Sequence, residues 1–190
     1  MSQHQAQFDD LDASDLYFSI IAARYNGELI DVLIKRAVTT LVEYGANIEN
    51  IDITRVPGSN EIPYLAAMHG LTGQYEAIIG LGIIIKGGTA HDEVIAHSTA
   101  NALHTAAMST ETPIINGIIT ANTEEQAKER VLGELDRGAE FARAAIEMAR
   151  HKVEVIETLD QMEEDEFMED FDDDDDDDDD NDLKRLFRKN

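Results

Sequence analysis

Between Leu16 and Arg150 the hydrophobic positions follow two alternating patterns. Residues 16–23 (LYFSIIAA), 51–56, 77–85 and 113–119 are short apolar runs rich in β-branched side chains. Such runs predict strands buried on both faces, as in a parallel sheet. Between them, apolar residues recur at helical spacing. Leu29, Leu33, Ala37 and Leu41 form one stripe, followed by Gly45 as a C-terminal cap. Residues 66–71 predict a shorter helix ending at Gly73. Residues 94–108 and 125–149 predict longer ones, the last interrupted around Gly133 to Gly138. Asn122 or Thr123 can cap that last region, with Glu125 or Gln126 answering from the first turn. Strands and helices in alternation make βαβ units with right-handed crossovers. The expected fold class is therefore α/β, a doubly wound four-stranded parallel sheet with helices on both faces.

Composition narrows the picture. A chain of 190 residues suits one domain with a proper core. Cys is absent, which excludes disulfide scaffolds, thiolate metal sites and cysteine nucleophiles. No apolar run approaches the roughly 20 residues of a membrane span, and MSQHQAQFDDLD is no signal peptide. A net charge of -25 argues against a nucleic-acid backbone as partner, and a cytoplasmic protein is expected. The charge is unevenly placed. Residues 160–182 hold 17 of the 40 acidic residues, including the unbroken Asp run 172–180, and LKRLFRKN closes the chain. Like-charge repulsion and scarce apolar residues predict a disordered tail over 160–190. The remainder divides into an N-terminal extension, 1–14, and a folded domain, 15–159.

Ligands in open α/β sheets bind beyond the carboxyl ends of the strands, so those four places carry the candidate chemistry. After the first strand, Tyr25 offers an aromatic face to a planar ring, or simply caps the core. After the second, in Val56-Pro57-Gly58-Ser59-Asn60-Glu61-Ile62-Pro63, Ser59 or Asn60 can cap a helix and Pro63 fits its first turn. Glu61 can serve the same cap or accept hydrogen bonds from a heterocycle. The residues leave both open. After the third, Lys86-Gly87-Gly88-Thr89-Ala90-His91 leads into a helix and makes an anion cradle from backbone N–H groups and the helix dipole. His91 stands at that helix start, where an imidazole beside an anion cradle is a candidate proton carrier, or simply caps the helix. His97 and His104 are explained by helical spacing, and His69 and His4 carry no signal. After the fourth, Asn116 precedes Gly117, and Arg130 follows on the next helix, where it could reach an anion at the Gly-Gly-Thr turn. Together these suit a small phosphorylated substrate plus a flat polar ring.

The order RYN, VPGSNEIP, GGTAH, NGIITANTEEQAKER and DRGAEFARAAIEMA resembles the lumazine synthase family over roughly Leu16 to Arg150. The resemblance implies a flavodoxin-like three-layer sandwich and a transferase of riboflavin biosynthesis working without metal or organic cofactor. Its reaction condenses a ribitylaminouracil with 3,4-dihydroxy-2-butanone 4-phosphate. It implies homopentamers, and in many members a shell of twelve pentamers. It makes Tyr25 the aromatic that stacks on the pyrimidine, with Ser59, Asn60 and Glu61 lining the pyrimidine and ribityl pocket. Ile83, Ile84 and Ile85 would give backbone contacts, Gly88 and Thr89 would hold phosphate with Arg130, and His91 would transfer protons. Asn116 falls where a neighbouring subunit closes the pocket.

The chain departs from the family's habit at four places. Asn60 and Asn116 stand where aromatics are usual, Lys86 where arginine is usual, and Asp136-Arg137-Gly138 where Asn-Lys-Gly is usual. Each lost ring contact weakens substrate packing by about 1–3 kcal/mol if well buried. These departures motivate an alternative, a non-catalytic lumazine- or flavin-binding shell protein. The tail adds a separate expectation. Inside a closed shell, Asp-rich tails would attract cationic cargo, whereas a solubilising tail, or LKRLFRKN folded back on the Asp run, is the simpler reading.

Overall fold

The computed structural model describes residue 8 and residues 11–172. The basic LKRLFRKN segment, the Asp run beyond residue 172 and His4 lie outside the described residues. Four strands form one sheet: β1 (Phe18–Ala23), β2 (Ile51–Val56), β3 (Ala77–Ile85) and β4 (Ile114–Ala121). Their order is β2-β1-β3-β4 and every pairing is parallel. β1 begins two residues later than its apolar run, and β4 runs on to Ala121 because its pairing with β3 continues to Ile85↔Ala121. Five helices accompany the sheet: α1 (Gly27–Glu43), α2 (Ile62–Gly70), α3 (His91–Thr110), α4 (Glu124–Leu132) and α5 (Arg137–Asp172). Thr123 is the residue that caps α4, its hydroxyl accepting from the Gln126 N–H at 3.2 Å. The break before α5 falls where expected, and there Asp136 takes a positive φ.

α2 starts at Ile62, earlier than its apolar spacing predicts, because Pro63 sits in its first turn and fully buried Ile62 anchors its start. β3 shows how the faces are divided. A side chain at Gly80 would meet Ile62 at 2.8 Å and approach Leu103, so α2 and α3 cover that face. On the other face Leu81 and Phe141, from α5, close on Gly117. A residue larger than glycine at 138 would collide with Arg36 and Leu33, so α5 also packs tightly against α1. Phe18, Ile20, Ile21, Ile78, Ile79 and Leu81 are fully buried, as a sheet covered on both sides requires.

Two boundaries differ from the sequence reading. Ala13 is fully buried, its N–H donates to the Tyr44 carbonyl, and Arg150 donates to the carbonyls of Asp12 and Ser14. Residues 12–14, within the expected N-terminal extension, thus make contacts with the folded domain. At the other end α5 continues to Asp172, beyond the expected end of the fold near Leu159 and into the stretch read as disordered. Residues 153–170 contain no Gly or Pro and are rich in Glu, with Leu159, Gln161, Met162 and Met168 among them, so helix propensity carries the helix on despite the charge. Contacts divide the chain into two units, Met1–Lys152 and Val153–Asn190.

A polar chain crosses the amino-terminal ends of the strands. Ser19 Oγ lies 2.8 Å from His69 Nδ1, the His69 ring stacks on Tyr75 at 5.4 Å, and the Tyr75 hydroxyl donates to Asp52 at 2.7 Å. His69 is therefore structural. Burial lowers its pKa, opposed by the Asp52 charge. Burial, aided by the Asp52 hydrogen bond, pushes the Tyr75 phenol up to about 12. A raised phenol pKa contributes stability that is complete below the unfolded value near 10 and is lost as pH rises toward 12. Tyr75→Phe is expected to cost about 1 kcal/mol near neutrality. Its deficit should shrink as pH climbs through that window. Urea unfolding of both proteins across the alkaline range measures this; a deficit independent of pH would contradict it.

Candidate active site

The carboxyl ends of β1, β2 and β3 and the start of α3 enclose a cleft of about 680 Å³. Tyr25 stands on the turn after β1 with 73% of its surface exposed, so its ring is available for stacking rather than committed to the core. Gly58 seats it: an added Cβ there would lie 3.3 Å from the Tyr25 ring. Beyond Gly58 a 3-10 turn, Ser59–Glu61, carries three of the expected residues, all lining the cleft. Ser59 is buried against Gly82, where any side chain would run into its hydroxyl. Glu61 Oε2 accepts from the Gly58 N–H at 2.8 Å, and Asn60 approaches its other oxygen at 3.4 Å. Glu61 thus performs the capping role the sequence left open, while still facing the cleft.

Ile83, Ile84 and Ile85 form the far wall. β1 pairs with β3 only as far as Ala22↔Leu81, so these last residues of β3 are held in the ladder from the β4 side alone. The Gly-rich turn follows. Gly87 donates to Asp92 Oδ1 at 3.3 Å, and His91 N–H approaches Thr89 Oγ1 at 3.4 Å. A Cβ at Gly87 or Gly88 would touch nothing within 4 Å, so packing does not demand either glycine. Thr89 and His91 line the cleft, His91 as the first residue of α3.

Three expected residues lie elsewhere. Gly88 does not line the cleft, whereas its neighbour Gly87 does. Arg130 lines an adjoining cleft of about 360 Å³ with Lys86 and His97, separated from the first by Ile84 and Asp92, which face both. Asn116 is exposed on β4, one of the two edge strands, and its Oδ1 accepts from the Ile118 N–H at 3.1 Å. Arg137, standing for the family's usual lysine, is paired with Glu140 at 2.6 Å. The sequence reading passed over Asn26, Asp92 and Ile95, which also line the main cleft. For Asn26 the signal was present: an asparagine directly before a helix start tolerates the left-handed conformation. Asp92 and Ile95 gave none, because a first-turn acid and a helical isoleucine are ordinary.

A sequence model of 6,7-dimethyl-8-ribityllumazine synthase matches residues 15–152. The chain belongs to the lumazine synthase family. Among its relatives is the 6,7-dimethyl-8-ribityllumazine synthase of Nitrosospira multiformis, 38% identical over 154 residues, 81% of this chain and 92% of that protein. Another is the enzyme of the same name from Chlorobium phaeobacteroides, 38% identical over 139 residues, covering 73% of this chain and 90% of the relative. The matched span takes in every element of the sheet and the whole of the cleft. The fold is accordingly the flavodoxin-like α/β sandwich of lumazine synthases.

Proposed function

We propose that the chain is a transferase that condenses 5-amino-6-(D-ribitylamino)uracil with 3,4-dihydroxy-2-butanone 4-phosphate. The products are 6,7-dimethyl-8-ribityllumazine, phosphate and water. The observation that carries this reading is the meeting of exposed Tyr25, Glu61 and His91 in one cleft of a lumazine synthase family member. Tyr25 stacks on the uracil ring, and backbone groups of Ile83 to Ile85 read its edge. Ser59, Asn60 and Glu61 accept or donate to the polar ribityl chain. Thr89 and the adjacent glycines hold the phosphate end, which places the ketone beside the ring amine and supplies most of the catalysis as proximity. His91 moves protons as the 5-amino group attacks the ketone and water leaves to form the imine. It does so again as phosphate is eliminated to an enol that tautomerises to a carbonyl, and as the ribityl-bearing amine attacks that carbonyl and a second water leaves to close the ring. No step needs a metal or organic cofactor.

Arg130 is the cation for the phosphate in this proposal. Because it lines the adjoining cleft, and Asn116 is exposed on an edge strand, both are suited to service in a neighbouring copy of the chain. We therefore propose a homopentamer whose sites form between subunits, with a 60-subunit shell as its closed form. No helix among the described residues is long and apolar enough to cross a membrane. The test is an assay of the purified protein with both substrates, following the lumazine chromophore. Product above the uncatalysed background is expected. Its absence from an assembled sample that still binds lumazine would leave a binding shell.

A further inference from the structure

Asn26 is the residue before α1, in the left-handed region with φ 58° and ψ 40°. Its backbone carbonyl accepts from the N–H groups of Leu29 and Ile30, both at 3.1 Å, and so starts the helix. An asparagine in this place ordinarily turns its side chain onto the first helical N–H groups. Here it makes no such cap. Instead the Asn26 Nδ2 donates to the carbonyl of Ile83 at 3.1 Å, across the cleft wall. The position of that carbonyl explains the choice. Strand pairing between β1 and β3 ends at Ala22↔Leu81, and the Arg24 N–H is already given to the Val56 carbonyl of β2. Backbone from β1 therefore no longer reaches Ile83, and a side-chain amide continues the ladder in its place.

We propose that Asn26 is a positioning residue for the pyrimidine substrate, an inference that rests on the lumazine synthase reading of this cleft. Its one side-chain bond joins two parts of the ring-binding surface. Tyr25 precedes it in the chain, and Ile83 begins the run of backbone groups on the opposite wall. Binding the Ile83 carbonyl sets the spacing between the Tyr25 ring and that wall. A residue at this place must tolerate positive φ and donate from a short side chain, and asparagine does both.

Two variants separate the side-chain bond from the backbone conformation. Asn26→Gly keeps the left-handed turn and loses the donor. Asn26→Asp keeps size and turn but sets a carboxylate against the Ile83 carbonyl. Both are expected to assemble like the wild type and to raise KM for the aminouracil about tenfold or more, the scale of one backbone-directed hydrogen bond. KM for the ketone phosphate should stay within about twofold, since that end of the cleft is built from other residues. Unchanged aminouracil KM in both variants would overturn the proposal. So would equal rises in both KM values with a lowered Tm, which would mark a general structural role. Titration with lumazine itself keeps the test separate from the catalytic reading. Should the wild type bind lumazine without making it, the synthase reading fails, and weakened lumazine binding by both variants still decides for Asn26.

Discussion

Replacing His91 with alanine is expected to slow lumazine formation about 10²–10⁴-fold, the usual share of a positioned acid–base group. Its place motivates the size of the effect. His91 opens α3, is exposed to the cleft, and is the only histidine among the described residues lining it. Both the loss of water and the loss of phosphate need a proton delivered at an oxygen, and a carrier at the mouth of the Gly-rich turn can serve each. Activity should not vanish. Tyr25, the Ser59–Glu61 turn and the backbone of Ile83 to Ile85 remain, so the two substrates are still held together. Initial rates of the two proteins at saturating substrate measure the effect. Equal rates would acquit His91 and leave proximity as the whole of catalysis.

The second large effect is expected at Arg130. Arg130→Ala should raise KM for the ketone phosphate about tenfold to a hundredfold, matching the ~1.5–3 kcal/mol of a hydrogen bond to a charged group. KM for the aminouracil should hold nearly constant. Arg130→Lys should recover part of the loss, because the charge returns without the forked geometry. Its separation from His91 within one chain supplies a further check. If neighbouring subunits share sites, co-assembling the His91→Ala and Arg130→Ala chains creates some sites with both groups intact. Activity in the mixture above the sum of its parts is then expected. Activity no greater than that sum would place Arg130 in the service of its own chain's cleft.

The core elements were legible because a doubly covered parallel sheet leaves an unmistakable pattern. β2 and β3 fall on the predicted runs, residue for residue, but only β3 is a continuous apolar stretch. β2 carries Asp52, Thr54 and Arg55 and, as an edge strand, leaves Ile53 exposed rather than buried on both faces. α2 was harder. Its opening, Ile62-Pro63-Tyr64, has little helical periodicity, and burial of Ile62 against the sheet decides where the helix begins. α5 misled in another way: a dense run of acids reads as repulsion, yet good helix formers without a breaker extend the helix to Asp172. The cleft was legible at its rims. Tyr25, Glu61, Thr89 and His91 stand at strand ends, where the fold class already puts ligands. Asp92 and Ile95 were not legible because a first-turn acid and a helical isoleucine are ordinary, and the sequence shows Asn26 before a helix but not the carbonyl its side chain reaches.

The amino-acid sequence alone determined the fold class, the family and the set of chemical groups at the strand ends. These depend on local pattern and ordered motifs, which a linear chain displays. Tertiary structure alone decided how those groups are shared out. It put Arg130 and Lys86 across Ile84 and Asp92 from His91, left Asn116 on an open sheet edge, and turned the Asn26 side chain from its helix to Ile83. The physical reason is range. Strand and helix propensities act over a few residues, whereas the partner of a side-chain amide or the cleft an arginine faces is set by where distant strands stop pairing.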